Sequence, residues 1–269
     1  MRIAIYQGPE QSRDVAGHLD LMAEQAVAAA RRGAGLLVFP EMFLTGYAIG
    51  ADAVARMAEP ADGPSAQKAG AIARSAGIAI AYGYPERSPG ARGVYNAALL
   101  FGRDGWPLMN YRKTHLFGDL DRGMFVPGDG LPEPARLDGM SVGMLICYDV
   151  EFPEPVRSWA LAGVDLLLVP TAQMEPYEFV ARSLVPVRAY ENQVTIAYAN
   201  RCGREGDLVY VGQSCISGPD GVDLARAGGG ESLILADLDA AALQQARRLN
   251  TYLADRRPAL YGSLAAPSP

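Results

Sequence analysis

GAGLLVFPE at residues 33–41 and GVDLLLVPT at residues 163–171 are nearly the same phrase written twice. Each is a short aliphatic run opened by glycine and closed by proline, the pattern of a fully buried strand. The next strand is doubled as well, since GIAIAYGYPE from Gly77 matches QVTIAYANR from Gln193. So is the turn beyond it. NAALLFGRDG from Asn96 and SCISGPDG from Ser214 both end in Asp-Gly, which supplies the positive φ that a hairpin turn needs.

Working outward, the alanine-rich stretches HLDLMAEQAVAAARR and SAQKAGAIARSA have helical periodicity and alternate with the strands RIAIYQ, GLLVFP and IAIAYGYPE. Two βαβαββ halves, each with one helical layer on one sheet, bury most apolar surface when they stack sheet to sheet. The expected fold is α/β, a four-layer α-β-β-α sandwich with two pseudo-symmetric halves. No linker splits the chain, so residues 1–269 are expected to form a single domain. The tail from Arg247 to Pro269 has no clear strand or long helix, and either packs on a partner subunit or frays.

With 49% hydrophobic and 20% charged residues in 269, the chain can bury a large core, which excludes a disordered or fibrous protein. The net charge of −6, without long runs of like charge, gives no footprint for nucleic acid or an anionic membrane. A small molecule is the expected partner. Three cysteines, Cys147, Cys202 and Cys215, are too few and too unevenly spaced for a disulfide framework, and no CxxC pair suggests zinc. Reduced thiols in a cytoplasm follow. The start, MRIAIYQGPEQSRD, lacks the basic and apolar regions of a signal peptide, and no run of 18 apolar residues marks a membrane span.

Active sites in sheets of this kind gather where strands end. Glu41 directly follows GLLVFP, Cys147 directly follows VGMLI, and Lys113 lies in NYRKTHLFG beyond the Asp104-Gly105 turn. A free cysteine at a strand end is often a small buried hydrophobe. Here, though, Pro153 or Pro155 in EFPEPVRSWALAG marks a nearby helix start, whose dipole is expected to favour a thiolate. Cys202, in the loop RCGREG, and Cys215, in the strand QSCIS, lack that setting and read as structural. Glu41 has almost wholly uncharged neighbours, so burial should raise its pKa toward that of a general base. Lys113, read alone, is a solvated lysine paired with Asp119 or Asp121. Of two histidines, His18 reads as a surface or helix-start residue. His115 either orients a catalytic loop or serves as base in a Cys-His pair, and the residues themselves leave both open.

Three blocks, FPEMFLTGY around Glu41, YRKTHLF around Lys113 and GMLICYDVEFPE around Cys147, resemble the nitrilase or carbon-nitrogen hydrolase superfamily in composition and order. VRAYENQ from Val187 and YANR from Tyr198 extend the likeness over nearly the whole chain. The resemblance implies the same sandwich, usually dimerised, with Glu41, Lys113 and Cys147 as the catalytic set. Members often carry a second glutamate before a Phe-x-Pro-Gly; MFVPG from Met124 puts Asp121 at that place, one methylene shorter, to hold Lys113 or position substrate. Glu41 would be the base, Cys147 the nucleophile, and Lys113 with the backbone N–H of Tyr148 the oxyanion site. No metal or organic cofactor is implied.

Within the superfamily the blocks look most similar to amidases acting on 5-aminopentanamide, and a stereoselective amidase group shares much of the pattern. For such a substrate the pocket should present a carboxylate or aromatic face to the distal ammonium. Asp149, Glu151, Glu175, Glu178, Tyr47, Tyr148 and Tyr177 are candidates, with Glu151 and Arg157 read as a local ion pair. Nitrilases and N-carbamoyl amide hydrolases share the same triad. The rival readings are a Cys-His acyl transferase using His115 and a catalytically silent metabolite-binding scaffold.

Overall fold

The computed structural model describes residues 1–8, 14–87, 90 and 93–265. Its first half runs β1 (Arg2–Gln7), α1 (Val15–Arg31), β2 (Leu36–Val38), α2 (Ala51–Met57), α3 (Pro64–Ala76), β3 (Ala79–Glu86), β4 (Tyr95–Phe101) and β5 (Pro107–Arg112), followed by the short α4 (Gly118–Arg122). The second begins with β6 (Ala135–Leu137), β7 (Met140–Met144), α5 (Pro153–Leu161), β8 (Leu166–Pro170), α6 (Val185–Asn192) and β9 (Thr195–Ala199). It closes with β10 (Cys202–Glu205), β11 (Leu208–Val211), β12 (Cys215–Ser217), β13 (Asp223–Arg226), β14 (Ser232–Asp237) and α7 (Ala240–Leu249).

Two six-stranded sheets result, ordered β14-β1-β2-β3-β4-β5 and β13-β12-β9-β8-β7-β6. In each, three parallel strands lie at the centre (β1, β2, β3 and β7, β8, β9), with two antiparallel strands on one side and one on the other. The doubling seen in sequence is therefore a doubling of topology. The outer strands show what the repeat did not. β6 joins β7 as a local hairpin, whereas its counterpart β14 arrives from the far end of the chain to pair with β1. The β10–β11 hairpin forms a separate two-stranded sheet with no counterpart in the first half.

Because side chains alternate along a strand, each central strand buries both faces. Ile3, Ile5, Leu36, Val38, Ala79 and Ala81 share one core with the second sheet and its helices. Ala4, Tyr6, Leu37, Phe39, Ile80 and Tyr82 pack instead with α1 and α3. The four layers follow from that period of two. Gln7 also crosses the seam, its amide nitrogen donating to the carbonyls of Gly228 and Gly230 while its oxygen accepts from the backbone of Ser214.

Three expectations change. His18 lies in the first turn of α1 but is buried, with its ring edge-on to Phe43 at 5.6 Å. Cys202 begins a strand rather than lying in a loop. The tail begins later than expected, because α7 runs through Arg247, whose guanidinium bonds Asp165 at 2.9 Å and the Val164 carbonyl at 2.9 Å. Beyond α7 are a few exposed turns, including Pro258–Leu260, and residues 266–269 of that tail lie outside the described residues.

Glu41 owes its position in part to a close backbone approach. A Cβ at Gly83 would lie 2.3 Å from the Met42 nitrogen and 2.8 Å from the Glu41 Cα, so β3 touches the backbone that carries Glu41. Gly83→Ala is expected to cost about 1–3 kcal/mol through overpacking and to shift Glu41. Gly230→Ala, with open space around its Cβ, is the control. Thermal unfolding of the two variants checks this; equal melting temperatures would mean the contact is slack.

Candidate active site

Glu41 lies just beyond β2, where the chain turns sharply and Met42 takes a positive φ of 50°. Such a backbone costs of order 1–3 kcal/mol outside glycine and needs outside support. Arg201, from the end of the YANR block, supplies it by donating to the carbonyl of Glu41 at 3.0 Å and to that of Met42 at 2.5 Å. The Glu41 side chain is fully buried. Its Oε1 accepts from Lys113 Nζ at 2.8 Å and from Asn96 Nδ2 at 2.6 Å, while its Oε2 has no partner among the described residues. Burial pushes this carboxyl above the usual range, with Lys113 opposing and Asp121 adding to the rise.

Lys113 follows β5 and is buried, not solvated. Its ammonium sits between Glu41 and Asp121 Oδ2, the latter at 2.7 Å. Burial alone would lower its pKa, but Glu41 and Asp121 outweigh that and hold it well above the ordinary value. Lys113 therefore stays charged. Asp121, fully buried, also accepts from the Tyr47 hydroxyl at 2.7 Å and the Phe117 N–H at 2.9 Å. Of the two aspartates weighed as lysine partners, Asp121 is the one in contact. Asp119 is exposed and faces Arg122 at 3.9 Å.

Cys147 opens a 3₁₀ turn, Cys147–Glu151, with a positive φ of 46°. The turn is clamped by Asp149, whose Oδ2 accepts from the Ile146 N–H at 3.1 Å and the Tyr111 hydroxyl at 2.8 Å. Its Oδ1 accepts from the Thr114 hydroxyl at 2.9 Å and the His115 N–H at 2.8 Å. One buried carboxylate thus ties the cysteine turn to the lysine loop. The thiol donates to Gln173 Oε1, 3.6 Å away. The N–H of Tyr148, one residue on, has no acceptor among the described residues.

The expected thiolate is not what this environment favours. α5 begins at Pro153, with the 3₁₀ turn Cys147–Glu151 between it and the strand end that carries the sulfur. Burial and the Glu41 carboxylate push the thiol pKa well up, against Lys113. Glu41, whose Oε2 has no partner among the described residues, is thus an anion that opposes ionisation of the thiol.

The remaining candidates separate cleanly. His115 stacks on Phe152 at 4.2 Å between centroids, and its Nδ1 meets Asp149 at 2.8 Å, an arrangement that ties the ring to the clamp rather than to Cys147. Glu151 and Arg157 form no ion pair among the described residues; burial raises the pKa of the Glu151 carboxyl, with Gln173, Lys113 and Arg188 opposing. Tyr148 and Tyr177 both meet Phe117 edge-on, so they belong to an aromatic rim. Cys202 and Cys215 are unpaired and buried, each with its pKa pushed by burial up to about 11. Sequence reasoning missed Asn96, Gln173 and Arg201 as parts of the site, although Arg201 closes a block that the resemblance had picked out.

Comparison with known proteins places the chain in a family. The family model described as carbon-nitrogen hydrolase matches residues 2–248. A hydrolase of the pqqF 5′ region in Pseudomonas protegens is 53% identical, over 98% of this chain and 92% of its own. An (R)-stereoselective amidase from a Pseudomonas species is 37% identical, over 97% of this chain and 93% of its own. The solved amidase of Nesterenkonia sp. AN1 superposes with a TM-score of 0.83 at 37% identity, over 98% of this chain and 99% of that one. A glutamate-to-glutamine mutant of the same amidase carries acrylamide added to its active-site cysteine, again at a TM-score of 0.83. The chain belongs to the carbon-nitrogen hydrolase family.

The raised thiol pKa makes a prediction about ionisation. Cys147 should remain protonated through neutral pH and ionise only on the alkaline side, and Glu41→Gln, by removing a neighbouring anion, should lower that midpoint. The ultraviolet thiolate signal lost in Cys147→Ser, followed against pH, measures it. A midpoint below neutrality in the wild type would contradict the site as described.

Proposed function

We propose that this amidase of the carbon-nitrogen hydrolase family hydrolyses a short aliphatic ω-amino amide, 5-aminopentanamide, to 5-aminopentanoate and ammonia. Cys147 is the nucleophile, Glu41 the base and Lys113 the electrostatic partner. The observation that supports this most is the free Oε2 of Glu41, a buried carboxylate oxygen left unpaired while its twin is held by Lys113 and Asn96. Leaving such an atom unsatisfied costs free energy, and a proton from the thiol or substrate satisfies it.

The thiol proton moves from the Gln173 side to Glu41 Oε2 as the sulfur attacks the amide carbon. Lys113 and the Tyr148 N–H stabilise the oxyanion. Asp121 positions Lys113, so the shorter carboxylate takes the place of the family's second glutamate. Glu41 then protonates the departing nitrogen, ammonia leaves, and a thioester remains on Cys147. Glu41 next takes a proton from water, whose hydroxide attacks the thioester, and the thiol re-forms as the acid departs. The substrate choice rests on the resemblance of the motif blocks. The (R)-stereoselective relative favours a second reading, a branched or chiral carboxamide.

Ammonia release from 5-aminopentanamide, pentanamide and chiral carboxamides decides between the two. The ω-amino amide is expected to have a kcat/KM about 10- to 100-fold above pentanamide, the worth of an ammonium that finds a buried carboxylate. Glu41→Gln and Lys113→Ala should each lower kcat by about 10²-fold or more. Undiminished turnover in Glu41→Gln would remove the base assignment, and a preference for the chiral amides would move the substrate to the second reading.

The proposal includes a homodimer and a cytoplasmic setting. Three unpaired cysteines support the latter. For the dimer, Val187, Tyr190 and Val222 form an exposed apolar face on α6 and the neighbouring β12–β13 turn, where Gly221 approaches Tyr190. A second copy would cover it. Sedimentation is expected to give twice the monomer mass, and Val187→Glu to weaken that association; a monomer at all concentrations would overturn it.

A further inference from the structure

The β10–β11 hairpin, which has no counterpart in the first half, is bonded to the surroundings of both base and nucleophile. Arg201, the residue before it, holds the carbonyls of Glu41 and Met42. β11 pairs with the segment that carries Gln173, the acceptor of the thiol. There the Val211 N–H donates to the Gln173 carbonyl at 3.1 Å, and the Glu175 N–H donates to the Val209 carbonyl at 2.9 Å. Glu205, the last residue of β10, reaches back to the first half, where its Oε1 accepts from the backbone N–H of Tyr47 at 2.9 Å. Its Oε2 accepts from the Tyr210 hydroxyl.

Tyr47 follows the turn that carries Glu41 and is fully buried. Its hydroxyl donates to Asp121 Oδ1 at 2.7 Å, and Asp121 Oδ2 holds the Lys113 ammonium at 2.7 Å. The tyrosine ring faces the same ammonium, with 5.9 Å between Nζ and the ring centroid. Glu205 is thus joined to Lys113 through Tyr47, bonded once at its backbone and once at its hydroxyl. Both bonds end on a carboxylate, which makes them stronger than bonds between neutral groups.

A lysine ammonium is a compact charge on a flexible stem, so the acceptors around it decide where it sits. Asp121 can serve as a fixed acceptor only while its second oxygen is also satisfied. A buried carboxylate that loses a donor turns toward another or takes up a proton, and either change moves the ammonium.

We infer that Tyr47 is a positioning residue for Lys113, its hydroxyl fixing Asp121 against the ammonium, and that Glu205 anchors Tyr47 from the second half of the fold. This rests on the reading of Lys113 as the oxyanion partner, and not on any choice of substrate. The Tyr47 hydroxyl, a candidate contact for the far end of a substrate when the sequence is read alone, is committed to the lysine instead.

The test measures kcat and KM for Tyr47→Phe, Glu205→Ala and Glu205→Gln, each made in the wild type and in Lys113→Ala. The substrate is whichever of 5-aminopentanamide, pentanamide and the chiral carboxamides releases ammonia fastest. In the wild type, Tyr47→Phe and Glu205→Ala are expected to lower kcat about 10- to 100-fold. KM should change little, because an oxyanion contact is made in the transition state and not in the bound substrate. Glu205→Gln keeps an oxygen for the Tyr47 N–H and should recover most of the lost kcat. In Lys113→Ala the same substitutions should have little further effect, since the group they position is gone.

General destabilisation would lower both backgrounds alike, so equal losses with and without Lys113 overturn the inference and leave the lysine in its role. Wild-type kcat in Tyr47→Phe, a rise in KM at constant kcat, or Glu205→Gln as slow as Glu205→Ala overturns it too. Undiminished turnover in Lys113→Ala removes the role of the lysine and this inference with it. If Lys113→Ala does not fold, the separation of kcat from KM and the recovery in Glu205→Gln decide on their own.

Discussion

An ammonium removed from water has to be compensated at once, and that requirement organises this site. Lys113 is buried, and the effective penalty for an unpaired ion there is several kcal/mol. Two carboxylates meet it, from the turn after β2 and from α4, at 2.8 and 2.7 Å. Three separate segments of the first half are thereby held to one point. The same arrangement leaves one excess negative charge, which burial and Asp121 turn into a raised affinity of Glu41 for a proton. Charge pairing and base strength are thus two results of one geometry.

The second half contributes the sulfur and the means of holding it. Both Met42 and Cys147 have left-handed backbone conformations, which non-glycine residues adopt only when the surroundings compel them. Arg201 provides that compulsion for Glu41 and Asp149 for Cys147, each through several hydrogen bonds to backbone. For Met42 strain and support lie in different halves, while Asp149 ties its own turn to the His115 backbone of the first half. The strands on either side of the seam must be assembled before base and nucleophile can face each other.

Much of this was legible because periods and repeats survive in sequence. GLLVFP and DLLLVP are unbroken apolar runs that become continuously buried strands, and the positions of Glu41, Lys113 and Cys147 at strand ends are visible without coordinates. What stays hidden depends on distance along the chain. Asn96 is 55 residues from Glu41, and Arg201 is 160 residues from it, so neither pattern nor spacing relates them. Asp149 reads like any acidic residue in a loop until its five donors are seen together. The thiolate expectation failed for a related reason. Pro153 does mark a helix start, but the sequence does not show that a 3₁₀ turn intervenes, nor that burial and the Glu41 carboxylate oppose ionisation of the thiol.

The placement of β14 bears on how such a molecule can be made. Arg2 and Asp237, paired at the edge of the first sheet, are 235 residues apart. On the ribosome, the outer edge of β1 remains bare until nearly the whole sandwich has been synthesised. The second sheet has its equivalent edge covered by a hairpin as soon as β6 and β7 emerge. A bare strand edge invites pairing with other chains, and distant pairings close slowly. The nascent first half, carrying base and lysine, is therefore the part exposed to misassociation, and its protection arrives only with the last strand.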